Sequence, residues 1–295
     1  MKIVYYTSGV TGSGRVVRGI AIANAFRRKG VPCEFTILHS SRFGFLAEGF
    51  AGQMEIPLED ERAHSNEHCE SSSVFRELVR LDPDILIVDL VWFTLYNLIG
   101  RLSCKKLFLL TQIADDRFFS IDLSDEKLIF QPESYDLIAQ AEPLPVDIGA
   151  RQINPIILRN RDEILPRKRA LETLGIGQES GVPNCLFAYN GEPGEYETIR
   201  RKYAHMEEAG YRMLFSTNYA GRGHFPIVDY FNAFDFIISG AGYNAFWEII
   251  YFDKEAAFEP VARTFENQWW RVRECQEYYF DVNGADQLVE LIMGL

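Results

Sequence analysis

The residues best suited to chemistry lie between Asp235 and Glu248, in the segment DFIISGAGYNAFWE. The apolar residues at 236–238 predict a buried central strand. The small residues Ser239-Gly240-Ala241-Gly242 follow, and they would let a ligand approach the main chain closely. A helix from about Tyr243 would point N–H groups and the positive end of its dipole at that ligand. A diphosphate is the natural occupant of such a turn.

Glu248 is the acidic residue of the predicted helix, and it falls on the first turns of that helix. Its carboxylate could accept hydrogen bonds from a ribose diol, as acidic residues do in other nucleotide sites. The same layout also fits a plain tight turn of an α/β protein in which Glu248 is solvated. The segment alone leaves both interpretations open.

Composition narrows the class of protein. The 295 residues carry a formal net charge of −12, which argues against a general nucleic-acid binder because a polyanion would be repelled. The five cysteines are widely spread without a Cys-x-x-Cys pair, so we expect reduced thiols rather than a disulfide or zinc framework. The chain starts on a strand-like segment without a secretory signal, and no apolar run is long enough to span a bilayer. These features predict a soluble cytoplasmic protein.

Strand and helix patterns alternate along the whole chain and predict an α/β fold. In the first half we expect strands at 2–6, 33–38, 85–88 and 106–110, helices at 15–29 and 93–102, a helix that ends before Asp82-Pro83, and an irregular stretch toward residue 150. In the second half we expect strands at 185–189, 213–216, 235–238 and 255–258, and helices at 194–209, 243–251 and twice more through 294. Residues 151–166 have the composition of a connector. The pattern predicts two doubly wound Rossmann-like domains, 1–150 and 151–295, that face each other across a cleft.

Several separated segments together resemble a GT-B glycosyltransferase of family 28, which includes the peptidoglycan transferases that use UDP-N-acetylglucosamine. Thr7-Ser8-Gly9-Val10-Thr11-Gly12-Ser13-Gly14-Arg15 is similar to the first Gly-rich loop of that family, and Asn154-Pro155-Ile156 to its Asn-Pro-Val connector. Ser239-Gly240-Ala241-Gly242 is followed by Glu248 at the family's interval. Glu266-Asn267-Gln268-Trp269-Trp270 resembles its Gln-Gln-aromatic-Trp segment.

The resemblance implies a role for each matched residue. Gly240, Ala241 and Gly242 would hold the donor diphosphate, Glu248 the ribose, and Asn267 with Gln268 the sugar hydroxyls. Asn267 and Gln268 could equally cap a helix that starts near Phe265. The full predicted donor set is Ser239, Gly240, Ala241, Gly242, Asn244, Glu248, Asn267, Gln268 and His224, and Gly12 and Gly14 belong to the acceptor-side loop. His224 could reach the nucleotide base or the donor sugar, or serve as a structural loop histidine.

Two departures from the family pattern bear on catalysis. Arg15 stands where the family's first loop has a histidine, and arginine cannot act as a base near neutral pH. Arg15 could instead pair with a diphosphate or an anionic acceptor, or lie on a solvated helix start. The segment Phe187–Glu192 also lacks the paired glycines and serine of the family. A noncatalytic relative that binds nucleotide sugars is therefore a second interpretation.

Sugar transfer needs a base for the acceptor hydroxyl and stabilisation of the departing diphosphate. Asp89 is the first candidate base because it ends a buried strand, where desolvation could raise its pKa; a helix cap or loop carboxylate is the alternative. Asp115 and Asp116 are a second choice. The sequence shows no metal-ligand motif of the His-Glu-x-x-His or Cys-x-x-Cys kind, so we predict metal-independent catalysis without a cofactor.

The sequence thus predicts a transferase that moves a sugar from a UDP-linked donor in the second domain to an acceptor on the first. A nucleotide-sugar hydrolase or epimerase is an alternative, because the same fold serves both. We expect an acceptor that is lipid-linked or a cell-envelope glycan, and peripheral contact with the inner face of a membrane. That contact would use Arg27, Arg28, Lys29, Arg42, Phe43, Phe45 and Phe50, which could also be ordinary core and helix-end residues.

Overall fold

The computed structural model of the chain describes residues 1–9, 12–113, 115–123, 126–177, 181–218 and 223–295. These residues form two compact units. The first unit contains Met1–Ile156, Arg263–Asn267 and Val282–Leu295. The second unit contains Ile157–Ala262 and Gln268–Asp281.

Each unit is built on a parallel β-sheet. The strands are β1 (Lys2–Thr7), β2 (Glu34–His39), β3 (Gly52–Glu55), β4 (Ile85–Asp89), β5 (Lys105–Leu110), β6 (Ser120–Leu123), β7 (Glu126–Ile129), β8 (Leu137–Gln140), β9 (Arg151–Gln152), β10 (Asn184–Ala188), β11 (Arg212–Ser216), β12 (Phe236–Gly240) and β13 (Ala256–Glu259). The first sheet has the order β3-β2-β1-β4-β5-β8-β9, and the second has the order β11-β10-β12-β13. Strands β6 and β7 form a separate antiparallel hairpin.

Helices lie between and after the strands along the chain. They are α1 (Gly14–Arg28), α2 (Ser73–Leu81), α3 (Arg167–Leu174), α4 (Pro193–Lys202), α5 (His205–Glu208), α6 (Tyr243–Tyr251), α7 (Gln268–Cys275) and α8 (Gly284–Met293). The strand order reverses between β1 and β4 in the first sheet and between β10 and β12 in the second, as in doubly wound folds. The prediction of two doubly wound α/β domains is confirmed. Within the described ranges, no helix combines the length and apolar composition that a bilayer crossing requires.

Close packing fixes the first helix on its sheet. A Cβ on Gly19 would lie 2.9 Å from side-chain carbons of both Tyr5 and Ile37, so only glycine lets α1 lie this close to β1 and β2. Because α1 begins shortly after β1 ends, its first turn is placed at the carboxyl ends of the strands. In the second unit Cys185, Phe187 and Ile238 form the buried centre of the sheet.

Some predicted elements are wrong. The predicted helix at 93–102 is two separate 3₁₀ turns, Trp92–Leu95 and Ile99–Arg101. Tertiary contacts override the helical pattern there, because the buried Trp92 donates its Nε1–H to the carbonyl oxygen of Phe118 at 3.1 Å. The stretch predicted to be irregular holds the hairpin and β8. The predicted helix at 194–209 ends at Lys202, and a short second helix follows.

The carboxyl-terminal helix returns to the first unit. In that unit the Nη2 of Arg28 lies 2.7 Å from Oδ1 of Asp286, and the Nζ of Lys29 lies 2.6 Å from Oε1 of Glu290. The side-chain amide of Asn154 donates to the carbonyl oxygen of Val282 at 2.9 Å. The structural division therefore differs from the predicted domains 1–150 and 151–295, because contacts between residues far apart in sequence set it.

Candidate functional site

The strand, turn and helix around residue 240 form at the carboxyl edge of the second sheet. Strand β12 is buried and ends at Gly240, and α6 begins at Tyr243. The hydroxyl of Ser239 donates to the carbonyl oxygen of Ala188 at 2.8 Å, which ties β12 to β10. This is the place where the strand order reverses, and open α/β sheets bind ligands outside the carboxyl ends of such strands.

Gly242 is the most open position of the turn. It is the residue before α6, with φ −64° and ψ 150°, and a Cβ built on it would meet no atom within 4 Å. The first N–H groups of α6 and the positive end of its dipole therefore lie beside accessible space. Asn244 lies half-buried in the first turn of α6. The structure thus brings together Ser239, Gly240, Ala241, Gly242 and Asn244.

Tyr189 is a residue of this edge that the sequence analysis missed. Its side chain is 2 % exposed, and a Cβ on Gly240 would lie 3.0 Å from the Tyr189 ring. The Tyr189 hydroxyl donates to Oε2 of Glu195 at 3.1 Å, and the same oxygen accepts the main-chain N–H of Glu192 at 3.0 Å. An aromatic ring and a carboxylate thus occupy the turn where the family pattern has glycines. The β12–α6 turn is more open, because a Cβ on Gly191 would meet the side chains of Tyr189 and Glu195 whereas a Cβ on Gly242 would meet no atom within 4 Å.

Arg271 is a second residue that the sequence analysis missed. It lies on α7, is 1 % exposed, and donates from Nη1 to the carbonyl oxygen of Ala241 at 2.7 Å. Its guanidinium carbon lies 5.8 Å from the centroid of the Tyr243 ring. A buried positive charge therefore contacts the turn that precedes α6. Arg271 directly follows the family-like segment 266–270, and this position was the one sequence feature that pointed to it.

Glu248 lies in the second turn of α6 and is only 8 % exposed. Burial, followed by the nearby Asp229 carboxylate, raises its pKa to about 8; a hydrogen bond from the main chain of Leu158 and the charge of Arg159 oppose this shift. Arg159 and Asp229 form an ion pair with Nε and Oδ1 2.8 Å apart. The contact between Glu248 and a ribose stays a prediction. It would need an accessible carboxylate oxygen, and burial leaves little of the Glu248 side chain exposed.

The remaining predicted donor residues have separate places. His224 is exposed, its main-chain N–H donates to Oγ of Ser216 at 3.2 Å, and its ring centroid lies 5.6 Å from that of Tyr230. Ser216 ends β11, so this anchor holds His224 at the carboxyl edge of the second sheet. Gln268 is 4 % exposed and accepts the main-chain N–H of Val261 at 2.9 Å.

The helix expected near Phe265 begins instead at Gln268, whose side chain is occupied by the Val261 contact. Asn267 is exposed and belongs to the first unit, whereas Gln268 belongs to the second. Their predicted contacts with sugar hydroxyls stay predictions.

Asp89 lies at the end of β4 and is fully buried in a hydrogen-bond network of the first unit. The Nη2 of Arg18 lies 2.9 Å from Oδ2 of this carboxylate, and the Arg18 side chain is itself only 2 % exposed. The hydroxyls of Tyr5 and Thr111 also donate to it. These bonds hold the carboxylate in the core, where a positioning role is favoured over that of a base for an acceptor hydroxyl.

Arg15 lies at the amino end of α1 and is half-buried. Its Nη1 donates to the carbonyl oxygen of Ser8, and the Tyr5 hydroxyl lies 2.8 Å from the Arg15 carbonyl oxygen. Burial lowers the pKa of the Arg15 guanidinium, while the Asp89 charge opposes that change. The guanidinium stays protonated at neutral pH and places a cation at this edge.

The acceptor-side loop is described in part. Gly12 is exposed with φ +75°, a conformation that favours glycine, and Gly14 opens α1. The matched residues Val10 and Thr11 lie outside the described ranges. Of the second-choice bases, Asp115 is held by Arg117, whose hydrogen bond lowers the Asp115 pKa, and Asp116 is exposed.

Most of the cations suggested for membrane contact have intramolecular partners. Arg27 donates from Nη2 to the carbonyl oxygen of Phe50 at 2.6 Å, and Arg28 and Lys29 pair with α8. Phe43 is buried, while Phe45 is 43 % exposed. The structure favours the core and helix-end interpretation of this set. Among the described residues, no group of three or more His, Cys, Asp or Glu is placed to hold a metal ion.

Solved structures match nearly the whole chain. The Streptomyces sp. SF2575 glycosyltransferase SsfS6, complexed with thymidine diphosphate, is 12% identical with a TM-score of 0.63, and the match covers 100% of each chain. MurG of Acinetobacter baumannii is 13% identical with a TM-score of 0.54, and the match covers 99% of this chain and 91% of that one. The chain has a GT-B fold.

A third solved structure matches the chain over its full length. UGT2 of Phytolacca americana, complexed with UDP-2-fluoro-glucose and pterostilbene, is 14% identical with a TM-score of 0.57, and the match covers 100% of this chain and 90% of that one. No protein-family model and no curated protein matches the sequence. The predicted GT-B architecture is confirmed at the level of the fold.

Proposed function

We propose that this protein is a glycosyltransferase whose second unit binds a nucleoside-diphosphate sugar, with a UDP-linked sugar as the expected donor. The observation that carries the proposal is the open turn at Gly242, which lies between a buried strand and the amino end of α6 where the strand order reverses. Support comes from two solved proteins of the same fold, which hold thymidine diphosphate and a UDP-sugar analogue.

The reaction breaks the bond between the sugar C1 and the diphosphate oxygen and forms a bond from C1 to an acceptor oxygen. The acceptor proton passes to a base, and the leaving diphosphate gains negative charge. The N–H groups and dipole of α6 would stabilise that charge without a metal ion or another cofactor. Gly240, Ala241 and Gly242 would form the diphosphate contacts.

The first unit would hold the acceptor. Arg15 offers a half-buried cation at the carboxyl edge of the first sheet, which suits an anionic acceptor such as a lipid-linked or cell-envelope glycan precursor. Such an acceptor fits a cytoplasmic enzyme with peripheral contact at a membrane face. Asp89 would support this edge from the core through its bond to Tyr5.

A noncatalytic nucleotide-sugar binder is the second candidate. It is favoured by the buried ion pair of Asp89 with Arg18 and by the Tyr189 ring in the turn before α4. In this interpretation the β12–α6 turn binds the nucleotide and no transfer follows. Turnover separates the two candidates.

A thermal-shift screen with UDP, dTDP, GDP, CMP and UDP-sugars tests the donor site, because a ligand that binds the native state raises Tm. Gly242→Trp places an indole in open space where the diphosphate is expected, and its φ of −64° suits any residue. Gly177→Trp is the matched control, because Gly177 is equally open and its carbonyl oxygen accepts from Arg212 at the opposite edge of the sheet.

We expect a Tm rise with one nucleotide family in the wild type and in Gly177→Trp, and none in Gly242→Trp. No rise in the wild type with any nucleotide would refute the donor site. Product analysis with the bound donor then distinguishes the reactions. Free sugar or an isomerised donor in the absence of acceptor indicates a hydrolase or epimerase, and binding without turnover across a broad acceptor panel indicates the noncatalytic protein.

A further inference from the structure

Arg271 is a fully buried cation that contacts the proposed diphosphate turn from inside the second unit. Its side chain is 1 % exposed, and its Nη1 lies 2.7 Å from the carbonyl oxygen of Ala241. Arginine is rarely buried to this degree without a specific partner, and its guanidinium keeps its charge. The bond to Ala241 is therefore a fixed feature of the turn.

The contact between Arg271 and the Ala241 oxygen sets the direction of the Gly242 N–H. Among the described residues the cis peptide bond is Phe225-Pro226, so the bond between Ala241 and Gly242 is trans. In a planar trans peptide the C=O and the following N–H point in opposite directions. Because Arg271 holds the Ala241 oxygen inward, the Gly242 N–H points away from Arg271.

Open space lies beside the α-carbon of Gly242. A Cβ on Gly242 would meet no atom within 4 Å, and within the described ranges the Gly242 N–H donates to no other residue. Gly242 also precedes α6, so its N–H lies at the positive end of the helix dipole. A donor that is oriented before the ligand arrives needs no reorganisation on binding.

We propose that Arg271 is a positioning residue for the donor diphosphate. It fixes the Ala241–Gly242 peptide so that the Gly242 N–H faces the phosphate oxygens, and its buried charge adds to the α6 dipole. This inference rests on the proposed function. Arg271 lies on α7 and would act on the diphosphate, whereas Asn267 and Gln268 are expected to contact the sugar hydroxyls.

The test compares a nucleoside diphosphate with its nucleoside, UDP with uridine or dTDP with thymidine, by titration calorimetry on the full chain. Arg271→Met keeps an unbranched apolar stem and removes the guanidinium group, with its charge and its hydrogen bond to Ala241. We expect the Kd for the nucleoside diphosphate to rise about 10- to 100-fold, since charge-assisted hydrogen bonds are the strong ones. The Kd for the nucleoside should change by less than about threefold, because its contacts lie elsewhere.

Arg273→Met is the matched control, because Arg273 lies on the same helix with a side chain 71% exposed. It should leave both affinities unchanged. If Arg271→Met does not fold, Arg271→Lys serves instead, since it keeps the charge but loses the planar donor geometry. We then expect a smaller loss that is again confined to the diphosphate.

Parallel loss of nucleoside and diphosphate affinity, or no loss of either, would overturn the role of Arg271 and leave the proposed function intact. A wild type that binds no nucleoside diphosphate would overturn the proposed function and this inference together. A loss restricted to the diphosphate would support both.

Discussion

Replacing Glu248 with glutamine should stabilise the protein in a pH-dependent way. The carboxyl is 8 % exposed, and burial followed by the charge of Asp229 raises its pKa from the ordinary 4.5 to about 8. The folded state therefore holds this proton more tightly than the unfolded chain does. Between these two pKa values the folded protein binds more protons, so its free energy of unfolding falls as pH rises.

The size of the effect follows from the two pKa values. Each pKa unit corresponds to about 1.4 kcal/mol, so keeping Glu248 buried costs about 3 kcal/mol near pH 7 and about 5 kcal/mol above pH 9. Glutamine has nearly the same shape, does not titrate, and can accept the main-chain hydrogen bond from Leu158. Glu248→Gln should therefore be more stable than the wild type by about these amounts, and close to it below about pH 5.

Urea unfolding followed by tryptophan fluorescence at several pH values measures this difference. Trp247 is fully buried next to Glu248 on α6 and reports on the second unit. Glu255→Gln is the control, because Glu255 is an exposed carboxylate close by in sequence, and its substitution should leave stability nearly unchanged at each pH. A Glu248→Gln protein that is less stable than the wild type near pH 7, or a difference that stays constant with pH, would contradict the reasoning. The first result would mean that Glu248 is held as a charged partner of Arg159, and the second that its pKa does not differ between the folded and unfolded states.

Three further predictions concern stability. Asp89→Asn leaves the buried Arg18 charge without its carboxylate partner and should lower the free energy of unfolding, measured in urea, by about 3–5 kcal/mol. Asp116 is exposed, so Asp116→Asn should have little effect. Equal stability of the two variants would refute the buried pair. Gly284→Ala places a Cβ against the carbonyl oxygen of Asn154 and should lower the free energy of unfolding by at least about 1–3 kcal/mol in thermal unfolding. Gly294→Ala, whose Cβ would have its nearest contact at 3.5 Å, should leave stability unchanged. An unchanged Tm for Gly284→Ala would argue against the packing of α8. Ser239→Ala removes the hydrogen bond to Ala188 and should cost about 1–2 kcal/mol in urea unfolding, and a neutral result would show that β10 and β12 do not depend on it.

Local patterns predicted most of the secondary structure around the proposed site. The apolar residues of β12, the small residues after them and the start of α6 at Tyr243 all lie in one short window, and their types constrain the backbone directly. The helix at 243–251 was predicted with the bounds that the structure shows. The strand alternation likewise predicted two parallel sheets, because a period of strand and helix is a local property.

Pairings between distant residues decided the rest. Arg271 contacts Ala241 thirty residues away, Arg18 pairs with Asp89 across 71 residues, and Arg28 pairs with Asp286 across 258 residues. The sequence places Asp89 at the end of a buried strand, but it names no partner for that carboxylate or for the three arginines. Only the folded chain shows which charges are buried and what they touch.

The sequence by itself determined the α/β class, the turn at residues 239–242 and the helix that follows, since propensity, periodicity and glycine content act within a few residues. The tertiary structure decided that Glu248 is buried with a raised pKa, that Asp89 belongs to a core ion pair, and that Tyr189 and Arg271 surround the turn. It also decided that α8 belongs to the first unit. Desolvation and pairing depend on which elements pack together, and packing is a property of the whole chain.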